Sequence, residues 1–258
     1  MDQHAKANAF RELHRTPFVI PNPWDPGSAK VLEALGFPAL TTTSAGAANV
    51  HGVLDGAAGR DAILANAAEI VAAVELPVAA DLENGYDDPA ETIRLAAEAG
   101  LVGGSIEDHD PLTNTIYPRD EATARITAAV EAARALDFPF TLVARAENHL
   151  HGVDNLDDTI DRLRAYADAG ADVLYAPGLR DIDSIRRVCT ETGKPVNVLA
   201  NGLPLKDLVA AGATRISLGS LLYRAALTGL VDAATEIQQH GTFAFRNRLT
   251  TYAEATRS

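Results

Sequence analysis

Residues 80–86 read Ala-Asp-Leu-Glu-Asn-Gly-Tyr and close a short apolar run, Leu76-Pro77-Val78-Ala79-Ala80. That pattern predicts a buried strand running out into a loop at Gly85. Side chains two apart on a strand share a face, so Asp81 and Glu83 are expected to aim two carboxylates at one point. Like charges held that close are costly unless a cation lies between them or one carries a proton. Such a pair can also cap the next helix or bind a basic side chain.

Other expected strand ends carry similar residues. Thr41-Thr-Thr-Ser-Ala-Gly offers Ser44 and the amides of Ala45 and Gly46 to an anionic oxygen, or forms a plain polar turn. In the loop 48–60, Asp55-Gly56 reads as a lid carboxylate or as a simple turn. Ser105-Ile-Glu-Asp-His supplies Glu107, Asp108 and His109, and Ala144-Arg-Ala-Glu-Asn-His supplies Arg145, Glu147, Asn148 and His149. An Arg145–Glu147 ion pair that braces the end of the strand is the structural alternative there. Asn197 stands in an apolar run, where an amide is either satisfied internally or faces a pocket.

Together these are three or more carboxylates, an arginine and a serine. Oxygen donors of that kind suit Mg²⁺, or Mn²⁺, better than zinc, and the histidine spacing matches no compact zinc site. Mg²⁺ keeps several waters, so one carboxylate would bind it directly and others through water. Arg145 would then grip the carboxylate of a small acid, and the metal would stabilise an enolate.

The elements that must position these groups alternate along the chain. Strands are expected at Phe18–Pro21, Ala39–Thr43, Val78–Asp81, Gly103–Glu107, Phe140–Arg145, Asp172–Tyr175, Val196–Leu199 and Arg215–Leu218. Between them lie stretches with helical spacing, such as Asp61–Val74, Glu121–Ala135 and Leu156–Ala169. Three phrases echo one another as helix end, glycine turn and strand start: Glu98-Ala-Gly-Leu-Val-Gly, Asp168-Ala-Gly-Ala-Asp-Val and Val209-Ala-Ala-Gly-Ala-Thr. Eight such units in 258 residues predict a single (β/α)8 TIM-type barrel domain with an extra C-terminal helix. An open doubly wound sheet is the alternative, but no glycine-rich phosphate fingerprint follows the first strand.

With 35 acidic against 22 basic residues the net charge is −13, which argues against nucleic acid or an anionic membrane as partner. It does not argue against a small anion, because a bound divalent cation reverses the local sign. Cys189, the only cysteine, falls in the expected helix Asp183–Thr192 and reads as packing. No secretory or membrane-spanning run is evident, so a cytoplasmic enzyme is expected.

On these residues the chain resembles the isocitrate lyase/phosphoenolpyruvate mutase superfamily, most of all its shorter bacterial, carboxyvinyl-carboxyphosphonate phosphorylmutase-like members. The likeness covers almost the whole chain. It is carried by Pro21-Asn-Pro-Trp-Asp-Pro-Gly-Ser-Ala, Thr43-Ser-Ala-Gly, Ala80-Asp-Leu-Glu-Asn-Gly-Tyr, Gly104-Ser-Ile-Glu-Asp, Ala144-Arg-Ala-Glu-Asn and Pro195-Val-Asn-Val.

The resemblance implies a Mg²⁺-dependent barrel that makes or breaks C–C or C–P bonds next to a 2-oxo or 2-hydroxy acid. It implies Asp81 as the direct metal ligand, with Glu83 and Glu107 holding metal waters. Ser44 and the amides of Ala45 and Gly46 would bind the substrate carboxylate, Arg145 would hold the substrate, and Asn197 would line the pocket. Asp55 falls where the family has a gating-loop aspartate. Family members assemble as dimers or tetramers that exchange their last helix, so the segment after Gly219 is expected on a neighbour.

Three departures stand out. The isocitrate and methylisocitrate lyases carry a Lys-Lys-Cys-Gly-His loop after strand four, whereas His109-Asp-Pro-Leu-Thr-Asn-Thr-Ile-Tyr has neither cysteine nor lysine. Tyr175-Ala-Pro-Gly lacks the lyases' glutamate, and Glu83 stands where many members have aspartate. The expected activity is therefore cleavage or decarboxylation of a small 2-oxo or 2-hydroxy dicarboxylic acid, not isocitrate or methylisocitrate lysis. A phosphoenolpyruvate mutase or phosphonopyruvate hydrolase is the alternative, and a non-catalytic oxo-acid binder the third reading.

Overall fold

The computed structural model describes residues 1–200 and 202–257. All eight apolar runs become parallel strands: β1 (Phe18–Ile20), β2 (Leu40–Thr41), β3 (Val78–Asp81), β4 (Gly103–Glu107), β5 (Thr141–Arg145), β6 (Val173–Tyr175), β7 (Val196–Leu199) and β8 (Arg215–Ser217). They pair in the order β1-β8-β7-β6-β5-β4-β3-β2. The two ends of that order meet at a seam, where the Thr41 N–H donates to the Pro21 carbonyl at 3.1 Å. Asn22 fastens the seam. Its amide donates to the Thr42 carbonyl at 3.0 Å, and its Oδ1 accepts from the Leu218 N–H at 2.8 Å. The sheet is thus a nearly closed (β/α)8 barrel.

Around it run α1 (Gln3–Leu13), α2 (Pro26–Ala34), α3 (Ser44–Val50), α4 (Arg60–Ala73), α5 (Pro89–Glu98), α6 (Arg119–Arg134), α7 (Leu156–Asp168), α8 (Ile182–Glu191) and α9 (Leu205–Ala210). The three echoing phrases prove to be one device. After α5, the Gly100 N–H donates to the Ala97 carbonyl and the Leu101 N–H to the Ala96 carbonyl. The same pair of bonds ends α7 at Gly170 and Ala171, and α9 at Gly212 and Ala213. This is the Schellman arrangement, and it needs a left-handed residue, met at Gly100 by φ 88°. Each time it turns the chain straight into the next strand.

The main core lies between sheet and helices, and a smaller cluster of Val143, Val173 and Tyr175 lies apart from it. At the N-terminal ends of the strands α1 inserts the fully buried Phe10. A Cβ on Gly103 would stand only 3.0 Å from Phe10 Cε1 and 2.7 Å from the Thr141 carbonyl, so glycine makes room for that floor.

Two features lie outside the eight strand–helix units, one an unexpected hairpin and the other the expected extra C-terminal helix. A small antiparallel hairpin, His109–Asp110 with Thr115–Ile116, follows β4. The long α10 (Leu221–His240), followed by the short α11 (Tyr252–Ala255), has no buried residue and exposes Leu227, Leu230, Val231 and Ile237. Among the described residues no helix is long and apolar enough to cross a membrane. Cys189 is partly buried in α8, and burial pushes its thiol up to about 11, as suits a packing role.

Candidate active site

One row of the sheet organises the site. Glu107, Arg145, Tyr175, Asn197 and Arg215 are successive partners across β4, β5, β6, β7 and β8. All five line a single cavity of about 540 Å³. Barrel strands tilt against the barrel axis, so such a row spirals along it. Here it runs from the C-terminal mouth, at Glu107 and Arg145, down toward Phe10, which lies 5.9 Å from Arg215 Cζ.

Arg145 occupies the mouth and meets three carboxylates. Nη1 donates to Asp81 Oδ1 at 2.8 Å, Nη2 lies 3.0 Å from Glu107 Oε2, and Nε donates to Glu147 Oε1 at 2.9 Å. Burial alone would lower its pKa, but Glu107, Glu147 and Asp81 outweigh that and push it well up. The expected substrate grip and the expected brace are therefore the same residue: three of its five N–H donors hold carboxylates, and one on each Nη is left at the cavity wall.

Strand alternation sends the next carboxylate the other way. Asp108 accepts from the Glu147 N–H at 2.8 Å, from Tyr166 Oη at 2.6 Å and from Arg162 Nη1 at 3.1 Å. It ties the ends of β4 and β5 to α7 and does not line the cavity.

Asp81 and Glu83 do converge, but not by alternation along one strand. β3 ends at Asp81, and Glu83 sits beyond it with φ 52°, so a left-handed turn aims its side chain. Burial, then the charges of Asp81 and Asp55, raise the Glu83 carboxyl to about 8. Burial followed by Asp81 raises Asp55, and burial raises Glu107 and Glu147. Ser44 Oγ stands 3.0 Å from Asp81 Oδ2 and 3.3 Å from Asp55 Oδ1, bringing the loop carboxylate to the strand-three pair.

Ala45 lines the cavity beside Ser44, whereas Gly46 does not. The Gly46 N–H donates to Thr43 Oγ1 at 3.2 Å as part of the α3 cap, so this amide is taken and the anion-binding role expected for it is corrected. Asn197 Nδ2 donates to Ser217 Oγ at 2.9 Å while its Oδ1, buried, has no partner among the described residues. His109 stacks on His151 with ring centres 3.6 Å apart, and both reach the cavity beside Glu107 and Glu147. His149 instead contacts Thr159 and Asp154, away from it.

Five carboxylates thus face two guanidinium groups across one cavity: Asp55, Asp81, Glu83, Glu107 and Glu147 against Arg145 and Arg215. Among the described residues no three His, Cys, Asp or Glu side chains stand close enough to hold a metal ion unaided. The carboxylates there fit a hydrated divalent cation held directly by one of them and through water by its neighbours. Asp81 Oδ1 accepts from Arg145 and, at 3.4 Å each, from Ser105 Oγ and the Glu83 N–H, whereas Oδ2 accepts from Ser44 and keeps a lone pair, so Asp81 fits the direct position. Glu83 and Glu107 fit the outer ones.

Arg215, Tyr175 and Ser217 were not foreseen as site residues. Their signal was present: in Arg215-Ile-Ser217 polar side chains alternate with an apolar one in a strand of a buried sheet. The arginine begins its strand, however, where barrel chemistry is not expected.

A family model described as phosphoenolpyruvate phosphomutase matches residues 10–238. A solved structure of a putative lyase/mutase from Burkholderia cenocepacia is 54% identical, with a TM-score of 0.95 over 99% of this chain and 95% of that one. An oxaloacetate acetylhydrolase, solved with the product oxalate, is 26% identical, with a TM-score of 0.88 over 99% of this chain and 95% of that one. A 2-methylisocitrate lyase of Shewanella oneidensis is 31% identical over 67% of this chain and 61% of its own length.

Proposed function

This chain belongs to the phosphoenolpyruvate phosphomutase family, within the isocitrate lyase/phosphoenolpyruvate mutase superfamily of lyases and mutases, and we propose that it is a Mg²⁺-dependent lyase. Its substrate would be a small 2-oxo or 2-hydroxy dicarboxylic acid, oxaloacetate-like in the simplest case, and its reaction C–C cleavage or decarboxylation. The observation that carries this reading is the convergence of Asp81, Glu83 and Glu107 around Arg145 in one cavity. Similarity to an oxaloacetate acetylhydrolase supports the substrate class. The missing cysteine and lysine after β4 support an activity other than isocitrate or methylisocitrate cleavage, although a 2-methylisocitrate lyase is among the relatives.

In this reading Asp81 would hold the metal directly, and Glu83 and Glu107 would hold it through water. The bound cation would supply positive charge where an enolate oxygen develops. Arg145 is a positioning residue, keeping Asp81 and Glu107 turned to the same point. Ser44 and the Ala45 amide bind the near carboxylate, and Asn197 lines the wall. The 48–60 loop carries Asp55 to the mouth, where Ser44 joins it to Asp81, and it is the loop carboxyl placed to exchange a proton with the substrate.

C–P chemistry is the second reading, favoured by the family description. The hairpin after β4 brings no cation to the cavity, only His109, Pro111 and Asn114. Incubation with Mg²⁺ and oxaloacetate, phosphonopyruvate or branched malates, followed by proton and phosphorus NMR, separates the readings. Consumption of a dicarboxylate without phosphorus release is expected, and it should be lost in Asp81→Ala. Release or migration of phosphorus would establish the second reading, and binding without turnover the third.

The apolar side of α10 supports a homodimer or homotetramer in which this helix packs on a neighbouring copy. Light scattering should give more than one chain mass, and Leu230→Glu should lower it.

A further inference from the structure

Arg215 is a buried cation without an assigned task. It is 4% exposed and lines the floor of the cavity. Among the described residues its Nε and Nη1 have no hydrogen-bond partner, and no carboxylate stands within ion-pair distance of it. Its neighbours do not neutralise it. Phe10 offers only a ring face, 5.9 Å from Cζ. His14, behind it on the floor, is held neutral, its pKa lowered to about 4 by burial and by the charge of Arg215. Tyr175 and then Asp81 act on its charge, but Tyr175 is neutral, burial pushing its hydroxyl up to about 12, and Asp81 is paired with Arg145 and Ser44.

A buried guanidinium without a counter-ion is among the costliest groups a core can hold. A methionine of similar reach would fill the same space without that cost. The position therefore makes sense for a charge that arrives with a ligand. A guanidinium fork matches a carboxylate or phosphonate bidentately, and the enclosed floor screens that contact weakly.

We propose that Arg215 is the anchor for a second anionic group of the substrate, the one farthest from the Asp81 end. The site would then select dianionic acids over monocarboxylates by a contact at the barrel floor, with Ser217 and Asn197 on the adjoining strands framing it. This rests on the small-acid reading of the cavity and adds what that reading lacks, a residue that measures the length of the acid. The anchored group is a carboxylate or a phosphonate, and the two share this chemistry.

The test is calorimetric titration of the full chain with L-lactate, L-malate and 3-phosphonolactate, with and without Mg²⁺. None of the three has a 2-oxo group to accept electrons, and because L-malate is itself a 2-hydroxy dicarboxylic acid of the proposed substrate class, proton NMR of the titrated sample checks that it stays intact. The wild type should bind at least one dianion about tenfold or more tighter than lactate. Arg215→Met should abolish that preference while leaving lactate within about twofold, and Arg215→Lys should keep part of it. Preference for malate or for phosphonolactate identifies the anchored group. The melting temperature of Arg215→Met should equal or exceed that of the wild type, whereas a structural arginine would lower it. Arg215→Gln is the second variant, with the same loss expected. A wild type without preference, or a variant that keeps it or weakens all three acids alike, overturns the proposal. Absence of turnover on any oxo acid would overturn the lyase reading and leave this binding result standing.

Discussion

Two arginines stand three strands apart in the same hydrogen-bonded row, and their surroundings are opposite. Arg145 at the mouth is clasped by Asp81, Glu107 and Glu147. Arg215 at the floor has no such clasp, and burial pulls its pKa down to about 10, where it still carries its charge at neutral pH. The first is a scaffold: it holds together carboxylates that would otherwise repel. The second is a receptor. The same side chain in the same sheet takes either role according to whether the protein supplies its counter-ions.

The largest difference between the two should appear in stability. Arg145→Met leaves buried carboxylates unpaired and is expected to cost about 3–5 kcal/mol, read as a fall in urea midpoint. Arg215→Met should cost nothing. Equal losses in the two variants would erase the contrast.

A pH series sharpens it further. Burial and then Arg215 lower His14 from 6.5 to about 4, so between those values the unfolded chain binds more protons than the folded one. Stability from this group is complete above pH 6.5 and drains away as pH falls toward 4, by about 3 kcal/mol at most. His14→Phe should remove that component from the urea midpoint measured against pH. Arg215→Met should shrink it only in part, because burial is the larger cause. An unchanged profile in His14→Phe would show that the floor histidine is not held neutral.

A smaller effect is expected at the mouth. Ser44→Ala removes the hydroxyl that joins Asp55 to Asp81. It should slow turnover about tenfold with little change in melting temperature, in the range for a lost hydrogen bond to a charged group. Full activity would mean that the loop carboxylate is positioned by other contacts.

Much of this was legible beforehand, for physical reasons. The barrel strands are unbroken apolar runs punctuated by glycine and proline, and α7 was expected to within one residue of its end. The hairpin at His109–Ile116 gave no such signal, since it is a polar turn held by Asp110 accepting from the Leu112 N–H and Thr113 Oγ1. Asp81, Glu107 and Arg145 were visible because they end strands. The direction of Glu83 was not, because it depends on a left-handed φ that non-glycine residues seldom adopt. The Gly46 amide looked available until Thr43 proved to cap α3 with it. Arg215 escaped because depth in a barrel comes from strand tilt and register, which no single run of residues reveals.

The central claim, a divalent cation held at Asp81 for a small oxo acid, is tested most directly by calorimetry with oxalate, a planar mimic of an enolised 2-oxo acid. Oxalate should bind the wild type with Mg²⁺ present, and that binding should vanish with EDTA or in Asp81→Ala. Equal oxalate binding with and without Mg²⁺, or an Asp81→Ala protein that binds like the wild type, would contradict it.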